Sequence, residues 1–445
     1  MTSNGKCSLY LCGDVDQMLF RFQGARPEIV TSEIDKFCPE IKTIKLRTNY
    51  RSTVAIIEAC QRLIGGNYMS QDGPYADEFR KDTQPRDNAP AGEPVSFEMY
   101  PDTFTEAEAL AANISEQLAD GRVPADFFVG ARTRAQLGYL EGYLVRQHIP
   151  FINIAGGSFW GSKHVADVIA YVRLAMNPKD SDAFKRVYNI GSNWSVYPWG
   201  DKQGDYCTHR FLGRAFIDAC TVRGNPPQYS NIGNAYACKR SFRPGIEDMQ
   251  QFIQELQGEI VAGTTAAEAI QFVVDNCYKK YMMHEDGIST QEGAKNGKLD
   301  DLDTVIDVAA QYENIEDFTQ YVQGMIDAAE AAKEKDWSEH VVLSTCHKLK
   351  GMERPIVYGV GFCEQAGDDT KGLLPHTYSK QDPPQMGVLP GSGKGRIEDE
   401  LCVAFVLCSR AQDEVHLSGC YKYRTTTMGP SRFIQLLSIG EATCS

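Results

Sequence analysis

The chain has 445 residues, 42% of them hydrophobic and 23% charged, and a formal net charge of −14, which allows two or three domains with cores of their own and argues against a protein that coats nucleic acid by bulk electrostatics, though not against one that grips a strand in a local groove. No apolar run approaches the ~18 residues of a membrane helix, and no basic-then-apolar start marks a secretion signal. The fourteen cysteines contain no C-x-x-C pair, so a cytoplasmic chain with reduced thiols and no metal centre is expected.

In chain order, Ser8 to Cys12 reads as a short apolar strand ending in the Gly13-Asp14 turn. One strand cannot be a domain, because its backbone groups need a sheet to join. Ile41–Leu46 is strand-like, and Val54–Ile64 carries apolar residues at helical spacing. Pro, Gly and Asp cluster from Gln71 to Gly92, as in a surface excursion. Then strands Val95–Met99, Phe127–Ala131 and Phe151–Ile154 alternate with helices Thr105–Ala119 and Ala135–Gln147, the pattern of a parallel sheet covered by helices. From Pro178 to Trp337 amphipathic helical stretches dominate, most clearly Leu299–Ala309 and Ile315–Ala332. Strand character returns at Val341–Leu343 and Ile356–Gly361. A Gly/Pro-rich loop, Asp382 to Gly395, leads to a β-rich stretch at Val403–Leu407. The expected architecture is a helical domain inserted into an α/β domain whose sheet the C-terminal stretch completes.

Residue groups with chemical potential punctuate this pattern. Gly13-Asp14-Val15-Asp16-Gln17 is followed by Phe20-Arg21-Phe22-Gln23-Gly24-Ala25. Leu46-Arg47-Thr48-Asn49-Tyr50-Arg51-Ser52 comes next, then Ala131-Arg132-Thr133-Arg134 after a strand. Far downstream stand Thr345-Cys346-His347-Lys348-Leu349-Lys350-Gly351-Met352-Glu353 and Val403 to Ala411, with Arg410 near its end. A glutamine at a strand end can hydrogen-bond a γ-phosphate oxygen and the attacking water; read alone, Gln17 is as well explained by capping the next turn. A guanidinium stays charged and matches phosphate geometry, which suits Arg51, Arg132 and Arg410 to that ligand. Each also has a plain structural reading: Tyr50 packed in a core, Arg132 and Arg134 solvated, Ser409-Arg410-Ala411 a simple turn. Gly391-Ser392-Gly393-Lys394-Gly395 imitates a phosphate loop, but Gly395 stands where a magnesium-ligating hydroxyl is required and Val388 where a glycine is.

Taken in order, these strings resemble motifs III, IV, V and VI of superfamily 1 DNA helicases of the UvrD/Rep type, and the resemblance runs along nearly the whole chain. It implies a RecA-like parallel-sheet motor domain, called 2A, with an inserted helical domain, 2B, and the last strand of an incomplete first motor domain, 1A. The implied boundaries are 1–30 for the 1A fragment, 31–177 and 338–445 for 2A, and 178–337 for 2B. It places the Tyr50 ring on the adenine of ATP and Glu353 on its ribose, with Gln17, Arg51 and Arg410 at the γ-phosphate, Arg410 as an arginine finger. Phe22, where the family usually has a stacking tryptophan, Arg132, Thr345 and His347 would contact single-stranded DNA. Gln23, Arg134, His164 and Arg354 depart from the family pattern, while Glu400 stands where it has an orienting glutamate.

The expected activity is therefore that of the C-terminal half of an ATP-dependent 3′-to-5′ DNA helicase or translocase. The phosphate-binding lysine and the Mg²⁺ ligands, the Walker A and B motifs, would come from an N-terminal half, in this reading a separate chain; alone the chain should hydrolyse ATP very slowly or not at all. The alternatives are an inactive truncated product and a module that binds DNA or protein without using nucleotide.

Overall fold

A computed structural model describes residues 10–17, 19–20, 36, 39–42, 44–69, 82–155, 157–194, 207–222, 224–285, 297–332, 337–365, 371–376 and 394–437. The chain forms two compact units. One comprises residues 1–136, 147–155 and 336–445, the other 137–146 and 156–335.

The first unit is built on a six-stranded sheet. Its strands in chain order are β1 (Ser96–Tyr100), β2 (Phe127–Ala131), β3 (Phe151–Asn153), β4 (Val341–Thr345), β5 (Arg354–Gly359) and β6 (Ala411–Cys420). They lie in the order β1-β6-β5-β2-β4-β3, and every pairing is parallel. A parallel sheet covered on both faces needs strands that are apolar throughout rather than alternating. Accordingly all five residues of β2 are buried, as are the first four of β4. Helices α1 (Val54–Met69) and α2 (Thr103–Ala119) belong to this unit, and so does α3, from Lys394 to Cys408. Asp102 caps α2, its Oδ1 accepting from the Thr105 amide at 2.8 Å.

Helix α3 is seated by a notch in the sheet. Gly130 of β2 and Gly359 of β5 are directly paired. A Cβ on Gly130 would lie 2.2 Å from Leu407 Cδ1, and one on Gly359 would lie 2.7 Å from Leu407 Cδ2. The paired glycines thus leave a hole that the Leu407 side chain fills, fixing the end of α3 over the middle of the sheet.

Three local expectations are corrected. Val403–Leu407 is the last part of α3 rather than a β-stretch, and the strand is the following segment, β6. Leu401 to Cys408 is buried without a break, and a wholly buried apolar run carries no periodicity that separates helix from strand. Ile41–Leu46 forms no strand among its described residues; Ile44 and Leu46 are 69% and 84% exposed. With no sheet edge to join, only Thr48–Asn49 pairs, with Gln84–Pro85. Ser8 and Leu9 lie outside the described residues, and Tyr10 to Cys12 are exposed and unpaired. Residues 391–393 of the glycine-rich decoy also lie outside them, while Lys394 and Gly395 open α3.

The second unit is mostly helical, with one antiparallel pair among its described residues, Ile190–Trp194 against Cys207–His209. Its helices include Lys163–Met176, Arg243–Val261, Ala266–Val273, Gly297–Ala309 and Ile315–Ala332. This unit takes up the chain from Gly156, upstream of the Pro178 change in texture, because helix Lys163–Met176 is buried along most of its length against its helical neighbours. Trp160, fully buried, meets Phe159, Phe318 and Tyr321 edge-on. Arg210, also buried, donates to Asp248 at 2.6 Å and to the Tyr171 hydroxyl at 3.1 Å. His164 and Asp301 form a buried pair at 2.7 Å.

Candidate functional site

Two clusters form on opposite edges of the sheet in the first unit. One lies where β5 and β6 begin. The Arg354 amide donates to the Arg410 carbonyl at 3.1 Å, so Glu353 and Arg410 enter the sheet side by side. Ser52 Oγ donates to the Ala411 carbonyl at 2.7 Å, and the Thr53 amide donates to the Gln412 carbonyl at 3.1 Å. These bonds pin the segment after Asn49 to the same edge. Asn49 shapes it, its Oδ1 accepting from the amides of Arg51 at 2.8 Å and Ser52 at 3.1 Å, an Asx turn. Residues more than three hundred positions apart in the chain are thereby brought together.

Arg51 donates from Nε to Glu353 Oε2 at 2.5 Å and from Nη1 to the Ser409 carbonyl at 2.9 Å. Gln412 Nε2 donates to the other Glu353 oxygen at 3.2 Å. The Arg51 hydrogen bond and charge hold the Glu353 carboxyl below the usual range. Arg410 is 2% exposed. It donates from Nε to the Val406 carbonyl at 3.0 Å, from Nη1 to that of Met352 at 3.4 Å and from Nη2 to Ser409 Oγ at 2.9 Å. Burial, and then the like charge of Arg51, push its guanidinium down to about 10, against the partial opposition of Cys60, Asp14 and Glu353. Gln17, in the short turn Val15–Gln17, donates from Nε2 to Asp14 Oδ2 at 2.7 Å. Its carbonyl accepts from Lys350 Nζ at 3.1 Å. The Tyr50 ring stands 77% exposed, open to stacking.

The second cluster lies at the C-terminal ends of β2 and β4, the edge where open α/β sheets present ligand-binding groups. Ala131 and Thr345 are paired across the two strands, which sets Arg132 beside the Thr345–His347 turn. Arg132 is held by Glu400 through a fork of three contacts at 2.7 to 2.9 Å. Burial would lower the Arg132 pKa, but the Glu400 carboxylate outweighs it and holds it up. Glu400 Oε2 also accepts from the His376 amide at 3.0 Å. Burial and the Arg132 charge push His347 down to about 4, so its imidazole is neutral at pH 7. Phe20 meets the His347 ring edge-on, with centroids 6.2 Å apart. Gly351, at φ +91°, turns the chain from this edge toward Glu353 on the other.

The sequence-predicted residues thus divide into Arg51, Glu353 and Arg410 on one edge and Arg132, Thr345 and His347 on the other. Phe22 lies outside the described residues. Gln412, Ser409 and Asn49 carry no motif-independent signal, and sequence reasoning missed the parts they play. Among the described residues no group of three or more His, Cys, Asp or Glu side chains could hold a metal ion. No described helix is long and apolar enough to cross a membrane.

Comparison with known proteins agrees with this architecture. The UvrD-like helicase C-terminal domain matches residues 44–195. The chain is 26% identical over 444 residues to the ATP-dependent DNA helicase PcrA of Bacillus subtilis, covering 96% of this chain and 54% of that protein. It is 27% identical to DNA helicase II of Haemophilus influenzae, over 95% of this chain and 53% of that one. Against DNA helicase II of Escherichia coli the identity is 26%, over 95% and 54%. The chain spans about half the length of these relatives. The matched domain, and identity spread along nearly the whole chain, make it similar to the UvrD-like helicases of superfamily 1.

Proposed function

We propose that this chain supplies the second motor domain, with its helical insert, of an ATP-driven helicase or translocase moving 3′ to 5′ on single-stranded DNA. The observation that carries this is the pairing of Arg51 with Arg410. Both guanidiniums reach Ser409, Arg51 its carbonyl and Arg410 its Oγ. Burial first, and then the like charge of Arg51, push Arg410 down to about 10, and an anion placed there relieves the repulsion. A triphosphate fits that need. Arg51 and Arg410 would stabilise charge on its terminal phosphate, Gln17 would orient the attacking water, and Tyr50 and Glu353 would hold the base and ribose. Arg132, Thr345 and His347 would hold DNA phosphates, with Phe22 stacking on a base.

The phosphate-binding lysine and Mg²⁺ ligands belong, in this reading, to a first motor domain outside this sequence, on a longer polypeptide or on another chain. Residues 1–30 would join that domain, 31–177 and 338–445 would form the second motor domain, and 178–337 the insert. Arg410→Ala is expected to lower DNA-stimulated ATP turnover about a thousandfold or more. The test is ATP hydrolysis, with and without single-stranded DNA, by this chain alone and mixed with a first motor domain carrying a phosphate loop. DNA-stimulated turnover in the mixture, lost on Arg410→Ala, supports the reading. A mixture that does not turn over, or that ignores Arg410→Ala, overturns it in favour of a module that binds DNA or protein without using nucleotide.

A further inference from the structure

We propose that Glu353 is a latch on Arg51, an internal carboxylate that occupies the guanidinium until a phosphate displaces it. The inference rests on the reading of Arg51 as a phosphate ligand and adds a role for Glu353 beyond contact with the ribose. Arg51 meets the Glu353 carboxylate through Nε at 2.5 Å, and Gln412 Nε2 braces the second carboxylate oxygen at 3.2 Å. Nη1 is committed as well, to the Ser409 carbonyl at 2.9 Å. A carboxylate and a phosphate both present acceptor oxygens to a guanidinium, so Glu353 Oε2 occupies, at Arg51 Nε, a position that a phosphate oxygen would take.

The latch is built to open. The Arg51 and Glu353 side chains are 29% and 47% exposed, and an ion pair that water reaches is weak. A polyphosphate carrying several charges, drawn also by Arg410, outcompetes one carboxylate, whereas a weak monoanion does not. Gln412 keeps Glu353 in place as the pair opens, and the freed oxygen becomes an acceptor at the moment Arg51 takes the phosphate. Glu353 is therefore a positioning residue for Arg51 and a threshold on what the site accepts.

The test uses inorganic tripolyphosphate, which has no ribose, titrated calorimetrically into the full chain, Glu353→Gln, Arg51→Ala and the double variant. Glu353→Gln is expected to raise affinity about three- to fivefold, and the gain to vanish in the Arg51→Ala background. An equal gain in both backgrounds would mean simple repulsion between Glu353 and the anion, and overturns the latch; so does no gain in either. Binding by the unaltered chain that Arg51→Ala leaves unchanged, or no binding at all, overturns the underlying phosphate site and the latch with it.

Discussion

Burial and the Arg132 charge push His347 down to about 4, and this gives the first unit an acid-sensitive residue. Between about pH 6.5, the ordinary histidine value, and about pH 4, the unfolded chain binds a proton that the folded chain refuses. Stability therefore falls as pH drops through that window, by about 2 kcal/mol from this residue at pH 5. Urea unfolding at pH 7 and pH 5 is expected to show the unaltered chain losing about 2 kcal/mol more than His347→Gln; equal losses would refute the assignment. The neighbouring Arg132–Glu400 fork, with Glu400 almost fully buried, has a different signature. Glu400→Ala leaves a partly buried guanidinium without its partner and is expected to cost about 3 kcal/mol in the same assay. Arg132 was legible in the sequence as a strand-end arginine, but its tie to Glu400 was not, since 268 positions separate the two.

At the scale of elements, the Gly130–Gly359 notch links packing to the position of Arg410. Leu407 fills it, and the Arg410 amide donates to the Leu407 carbonyl at 3.1 Å, so the seat of α3 determines where the arginine emerges. Gly130→Ala drives a methyl against Leu407 and is expected to destabilise the chain by about 1–3 kcal/mol. It should also weaken tripolyphosphate binding without touching Arg410 itself. Unchanged denaturation midpoints would show that α3 shifts without strain. Sequence reading found most of these elements, Phe127–Ala131 to the residue, because a short apolar run after a turn and before an amphipathic helix has few other solutions. It misread Val403–Leu407 for the converse reason: burial on all sides erases the periodicity that tells helix from strand.

For the whole molecule, the two units have separate cores. The sheet and its helices build one, and the other gathers around Trp160, Tyr171 and the Arg210–Asp248 pair. Asp248→Ala strands a fully buried guanidinium and is expected to cost about 3–5 kcal/mol. Calorimetry should place that loss in one unfolding transition and the loss from Gly130→Ala in another. A single transition lowered equally by both variants would argue against independently cooperative units.

The amino-acid sequence by itself determined the fold class, the order of most elements and the family resemblance, because periodicity, turn residues and short motif strings are local properties. The motif strings also marked Arg51, Arg132, Glu353 and Arg410 as candidates. Only the tertiary structure decided which of them meet. Parallel pairing of β5 with β6 sets Glu353 beside Arg410, and the bonds from Ser52 and Thr53 bring Arg51 to the same edge. It also decided their partners, the Glu353 latch and the Glu400 fork among them. Burial and through-space electrostatics depend on distances that no local pattern of residues encodes.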